Sequence, residues 1–189
     1  MRILMLGNSF TYYHDMPVML AHMTGAEVVA HTRGGASLAE HLNPDTELGA
    51  KTLPALRNET WDYVILQEQS NAPALHRAAF QRSAAELCEL IRANGAVPVF
   101  YATWAYREGS EKLATVPHTY AEMEAALTDS YLHAAEVNGG LIAHVGRAFT
   151  ALRGVANMYE EDDYHPSEAG SMLAAATLAA VINAHAKEA

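Results

Sequence analysis

The stretch Arg2-Ile3-Leu4-Met5-Leu6-Gly7-Asn8-Ser9-Phe10 carries an apolar run straight into a glycine, two small polar residues and an aromatic. A short apolar run that ends on glycine reads as a strand giving way to a turn. Further runs of the same kind lie at Glu27–His31, Tyr63–Gln67, Val97–Ala102 and Leu141–Val145. Each is rich in Val, Ile, Leu or aromatic residues, and helical patterns separate them. The chain therefore predicts an α/β fold of βαβ units with a five-stranded, mostly parallel sheet. Pro98 has no N–H to give to a ladder, so it is expected at the beginning of its strand.

Between the strands the period changes to that of a helix. Phe80, Ala84, Leu87, Cys88 and Ile91 form one apolar stripe, and Asn94-Gly95 is a plausible stop. Thr119 and Glu122 stand at capping-box spacing before the next helix, which ends at Asn138-Gly139-Gly140. The last helix follows Pro166-Ser167 and carries Met172, Leu173, Ala176, Leu178, Val181 and Ile182. Cys88 belongs to the core stripe and has no adjacent base that would make it a nucleophile. Ala105–His118 is the longest irregular stretch and reads as a surface crossover rather than a lid.

The totals narrow the classes of function. At 189 residues, half of them hydrophobic, residues 1–189 suit a single domain that buries its core without disulfides or metals. A formal charge of −10 argues against a general nucleic-acid binder, which needs clustered Lys and Arg. With Cys88 as the only cysteine, nothing requires an oxidising compartment. Ile3–Leu6 is too short for a signal segment, and Met172–Ala184 falls short of the ~20 apolar residues of a membrane span. A soluble cytoplasmic domain with no membrane partner is the expectation. Ten histidines show no zinc-type spacing, so no metal site is expected.

Ser9 follows the first strand, where open α/β sheets bind ligands beyond their carboxyl ends. Taken alone, it is better read as a helix N-cap or turn serine. Asp162-Asp163-Tyr164-His165-Pro166 follows the fifth strand. A serine hydroxyl needs a base to take its proton, and the base needs an orienting carboxylate. An Asp three residues before a His on a turn folds back to the ring Nδ1 and leaves Nε2 for the serine. Asp163 is the rival for that place. Gly34-Gly35-Ala36-Ser37 follows the second strand and Gln67-Glu68-Gln69-Ser70-Asn71 the third. A glycine N–H, an amide side chain and the Ser9 N–H would together make an oxyanion hole. Trp104, Gln69, Tyr12, Tyr13 and Tyr106 are candidates for substrate contact, with Trp104 and the tyrosines equally suited to packing.

These blocks resemble the SGNH, or GDSL-type, hydrolase superfamily. Gly7-Asn8-Ser9 is similar to its Gly-Asp-Ser, and Gly35 matches its glycine block. Aligned from Asp62, the third block puts Asn71 at the family's asparagine, while Gln69 stands at its glycine and Ala72 at its aspartate. Asp162 and His165 match Asp-x-x-His. The matches run from residue 7 to residue 165, nearly the whole chain. The resemblance implies a flavodoxin-like three-layer α/β/α sandwich and a hydrolase without a cofactor. The implied catalytic residues are Ser9, Asp162 and His165, with Ser9, Gly35 and Asn71 as the oxyanion hole. Gln67 and Gln69 remain rivals to Asn71. The expected reaction is hydrolysis of small acyl, acetyl-type esters, with carbohydrate esters as a family-level guess. An acyltransferase using the same residues and a non-catalytic ligand-binding domain are the alternatives. No Gly-x-Ser-x-Gly elbow and no Walker phosphate loop occurs. The four acids Glu160–Asp163 beside the candidate base are expected to disfavour strongly anionic substrates.

Overall fold

A computed structural model describes residues 1–188. Its strands are β1 (Arg2–Gly7), β2 (Glu27–Thr32), β3 (Tyr63–Leu66), β4 (Val97–Tyr101) and β5 (Leu141–Ala143). They form one sheet in the order β2-β1-β3-β4-β5, and every neighbouring pair is parallel. This is the flavodoxin-like order, with the chain reversing its direction of growth beside β1. The helices are α1 (Ser9–Tyr12), α2 (Met16–Thr24), α3 (Leu38–Leu42), α4 (Glu47–Asn58), α5 (Ala72–Leu75), α6 (Arg77–Asn94), α7 (Tyr120–Val137), α8 (Val145–Ala151) and α9 (Glu168–Glu188).

Both sheet faces are covered, which is why its strands are apolar on consecutive residues rather than alternately. Ile3, Met5, Ile65, Val99 and Tyr101 pack against α2, α8 and α9 through Met16, Leu20, Phe149, Ala175, Leu178 and Ile182. Leu4, Leu6, Val64, Leu66 and Phe100 face the opposite layer, meeting Leu56 of α4, Phe80 and Leu87 of α6 and Tyr131 of α7. Cys88 is fully buried in that layer, and burial pushes its thiol pKa up to about 12. That is the environment of an inert packing residue.

Pro98 is the second residue of β4, consistent with a place near the strand's start. The expected strand Leu141–Val145 is shorter than anticipated. It stops at Ala143 because Val145 opens α8, whose Gly146 N–H bonds the Ala102 carbonyl at 2.9 Å. The Thr119–Glu122 capping box is present at the start of α7. The last helix is longer than its apolar stretch suggested. Its 21 residues are long and apolar enough to cross a membrane by length and composition, but one face, with Ala174, Leu178 and Ile182, is buried against the sheet.

Candidate active site

The turn that carries Ser9 is built by Gln67. This side chain is fully buried at the end of β3. Its Oε1 accepts the Asn8 N–H at 2.9 Å and the Thr11 hydroxyl at 3.0 Å, and its Nε2 donates to the Glu68 carbonyl. Gly7 makes room for that amide: a Cβ at this position would lie 2.6 Å from Gln67 Oε1. Asn8 then caps α1, accepting the Phe10 N–H on Oδ1 at 3.1 Å. Its Nδ2 donates to the Ala36 carbonyl at 2.9 Å and so fastens the turn to the glycine loop after β2. The result is Ser9 as the first residue of α1, at the crevice where the sheet order reverses.

His165 arrives from the far end of the chain. Its Nε2 lies 2.8 Å from Ser9 Oγ, and its Nδ1 lies 2.6 Å from Asp162 Oδ2. Asp162 Oδ1 accepts the backbone N–H of His165 at 3.0 Å and of Tyr164 at 3.2 Å. Partial burial alone would raise the Asp162 pKa. The hydrogen bonds from the His165 ring and from the two backbone N–H groups outweigh it and hold the carboxyl below its ordinary value. Asp163, the rival, has φ +66° and its carboxylate pairs with Arg107 at 2.5 Å. It is turned away from the imidazole.

Aromatic rings fix the plane of the His165 imidazole. Tyr13 stacks on His165 at 4.3 Å between centroids and 3° between planes, and Tyr164 lies against the imidazole at 4.0 Å. Tyr13 precedes two residues with left-handed backbone, His14 and Asp15, both at φ 52°. His14 Nε2 reaches Glu160 Oε1 at 2.7 Å, tying the segment after Ser9 to the acidic loop.

A cleft of about 380 Å³ opens over Ser9 and His165. Gly35, Gln69 and Asn71 line it, as do Tyr12, Tyr13, Tyr106, Tyr164, Ser70 and Lys112. Gly35 holds φ +70°, a conformation that disfavours any side chain. Ser9 N–H heads a helix and has no intrahelical acceptor. The Asn71 amide makes no hydrogen bond to protein among the described residues, whereas Gln69 Nε2 is 3.3 Å from Ser70 Oγ. Gln67 is spent on the turn that carries Ser9 and does not face the cleft.

Trp104 requires a correction. It is fully buried rather than exposed to substrate, stacked on Phe149 at 4.0 Å and on Phe10 at 4.6 Å. Its indole N–H donates to the Tyr164 carbonyl at 3.0 Å. It braces the loop that carries His165 from behind. Within Ala105–His118, Tyr106 and Lys112 reach the cleft, so the crossover supplies one of its walls. No group of three or more His, Cys, Asp and Glu side chains suited to a metal occurs among the described residues.

A solved protein from Slackia heliotrinireducens, assigned to the SGNH hydrolases, is 47% identical, with a TM-score of 0.92 over 96% of this chain and 98% of its own. The chain belongs to the SGNH hydrolase family. It is accordingly a hydrolase of ester bonds, as the sequence motifs implied. Fold likeness extends to a DUF4886 family protein from Bacteroides uniformis, at 22% identity and TM-score 0.74 over 96% of this chain and 82% of that one. An acetyl-xylooligosaccharide esterase from Geobacillus shares the fold at 16% identity and TM-score 0.72, over 96% and 93%. No family model and no curated protein matches the sequence.

Proposed function

We propose that this SGNH hydrolase is a serine esterase that removes small, acetyl-type acyl groups from polar alcohols such as carbohydrates. The observation that carries the reading is the unbroken line from Ser9 Oγ to His165 Nε2 at 2.8 Å and from His165 Nδ1 to Asp162 at 2.6 Å. Ser9 Oγ attacks the ester carbonyl while His165 Nε2 takes the hydroxyl proton. Asp162 keeps the Nδ1 proton in place and stabilises the imidazolium. The N–H groups of Ser9 and Gly35 and the side chain of Asn71 receive the oxyanion. His165 returns the proton to the leaving alcohol as the C–O bond breaks, which leaves acyl–Ser9. A water molecule gives a proton to the same Nε2 and attacks the acyl carbon, and His165 returns that proton to Ser9 Oγ as the Oγ–acyl bond breaks and the acid leaves.

The lining supports a polar alcohol. Four tyrosines together with Gln69, Ser70 and Asn71 offer ring faces edged by hydrogen-bonding groups, a combination suited to sugar rings. The acetyl-xylooligosaccharide esterase from Geobacillus shares this fold. The test is turnover of p-nitrophenyl acetate and of a panel from acetyl to decanoyl esters that includes acetylated sugars. Acetyl esters should be the best substrates, and Ser9→Ala should abolish turnover while leaving the fold intact. Asn71→Ala should lower kcat roughly 10²–10³-fold. Unchanged turnover in Ser9→Ala would sink the mechanism, and a negligible loss in Asn71→Ala would move the oxyanion role to Gln69.

A further inference from the structure

Among the described residues that line the cleft over Ser9, Lys112 is the one with a standing charge. Lys112 lines the cleft and no carboxylate does, although the protein as a whole carries −10. The nearby acids point elsewhere. Glu160, Glu161 and Asp162 line a separate depression with Tyr13 and His14. Asp163 is paired with Arg107. Glu68 is buried beneath the cleft, where its carboxylate accepts the backbone N–H groups of Leu38 and Gln69.

Lys112 is half-buried and has no carboxylate within 4.0 Å among the described residues. Its ammonium is held instead by rings, 4.2 Å from the centroid of Tyr164 and 5.3 Å from that of Tyr106. Tyr106 is itself fixed, with its hydroxyl 2.9 Å from Ser70 Oγ. Aromatic faces orient an ammonium and leave its N–H donors free for another acceptor. Lys51, by contrast, is paired with Glu47 at 2.7 Å. Lys112, lining the cleft, has no such partner among the described residues.

Its place relative to the reaction is defined by the same rings. Tyr164 touches both groups, its ring centroid 4.0 Å from that of the His165 imidazole at a 39° tilt and 4.2 Å from the Lys112 ammonium. The departing alcohol takes its proton from His165, and Lys112 reaches the cleft on the ring that flanks that imidazole, which assigns it to the alcohol part of the substrate. We infer that Lys112 is a specificity residue that binds a carboxylate carried by the alcohol part of the substrate, and that the enzyme favours esters of anionic alcohols over neutral ones. This inference rests on the esterase reading of the site and adds the class of leaving group.

The test compares kcat/KM for 4-acetoxybenzoate, whose leaving phenol carries a carboxylate, with that for 4-acetoxybenzamide, its neutral counterpart. The carboxylate ester should be favoured, and Lys112→Met should cut the ratio of the two roughly ten- to a hundredfold. Lys112→Arg should restore most of it. A ratio unchanged by Lys112→Met, or an equal loss on both esters, overturns the inference while leaving the esterase reading in place. Should the wild type turn over neither ester, it is the reading of the site that fails. Lys112 is then judged by calorimetry with 4-hydroxybenzoate, which should bind the wild type and not Lys112→Met; equal binding to both rejects the inference.

Discussion

Asn8 shows how one residue decides the behaviour of its neighbours. The family's first motif has aspartate there, but here Nδ2 donates to the Ala36 carbonyl while Oδ1 accepts the Phe10 N–H. A carboxylate can do only the second and would face the carbonyl oxygen with a lone pair. Asn8→Asp should cost about 2 kcal/mol of stability, read by urea unfolding, and should lower turnover by loosening the Gly35 loop. Asp162 and His165 were legible at this scale because an Asp three residues before a His closes on itself locally. Gln67 was not legible as the scaffold of the nucleophile turn, because its partners Asn8 and Thr11 lie more than fifty positions away in the chain. Trp104 was misplaced for the same reason: its burial is set by Phe10 and Phe149, which nothing nearby in the chain announces.

At the scale of elements, the strands were readable because both sheet faces are covered and each strand is apolar throughout. The short helices were harder. α3 has five residues and α8 seven, too few turns to display a period, and the expected fifth strand ran one residue into α8. α4 contains Gly49 and Pro54, which weaken its helical signature, yet Leu48, Thr52, Leu53 and Leu56 are buried along it. Thr52 of α4 also carries an acid-sensitive contact. Its hydroxyl lies 2.9 Å from His41 Nδ1 and 3.1 Å from His31 Nδ1, so it donates to one ring and accepts from the other, and the ring that accepts must be neutral. Burial, reinforced by the His31 charge and opposed by Glu40, lowers the His41 pKa from 6.5 to about 4. The unfolded chain therefore binds a proton that the folded chain refuses. Stability present above pH 6.5 is lost as the pH falls toward 4, by about 3 kcal/mol. Urea unfolding at pH 7.5 and 4.5 should show this loss in the wild type and a smaller one in His41→Gln.

For the whole molecule, the net charge of −10 does not describe the site. Of the 22 acids, twelve lie in residues 108–189, and the run Glu160–Asp163 was expected to turn anions away from Ser9. The fold gives three of these four acids a partner, Asp163 with Arg107, Glu160 with His14 and Asp162 with His165, and it places Lys112 in the cleft. Sequence order carried the architecture and the three residues in line; loop conformation decided the charge. All of it depends on Ser9 being an activated nucleophile. Treatment of the folded protein with a fluorophosphonate, followed by peptide mass spectrometry, tests that directly. One adduct on Ser9, absent in His165→Ala, is the expected result; a folded wild type with no adduct on Ser9 would contradict the account.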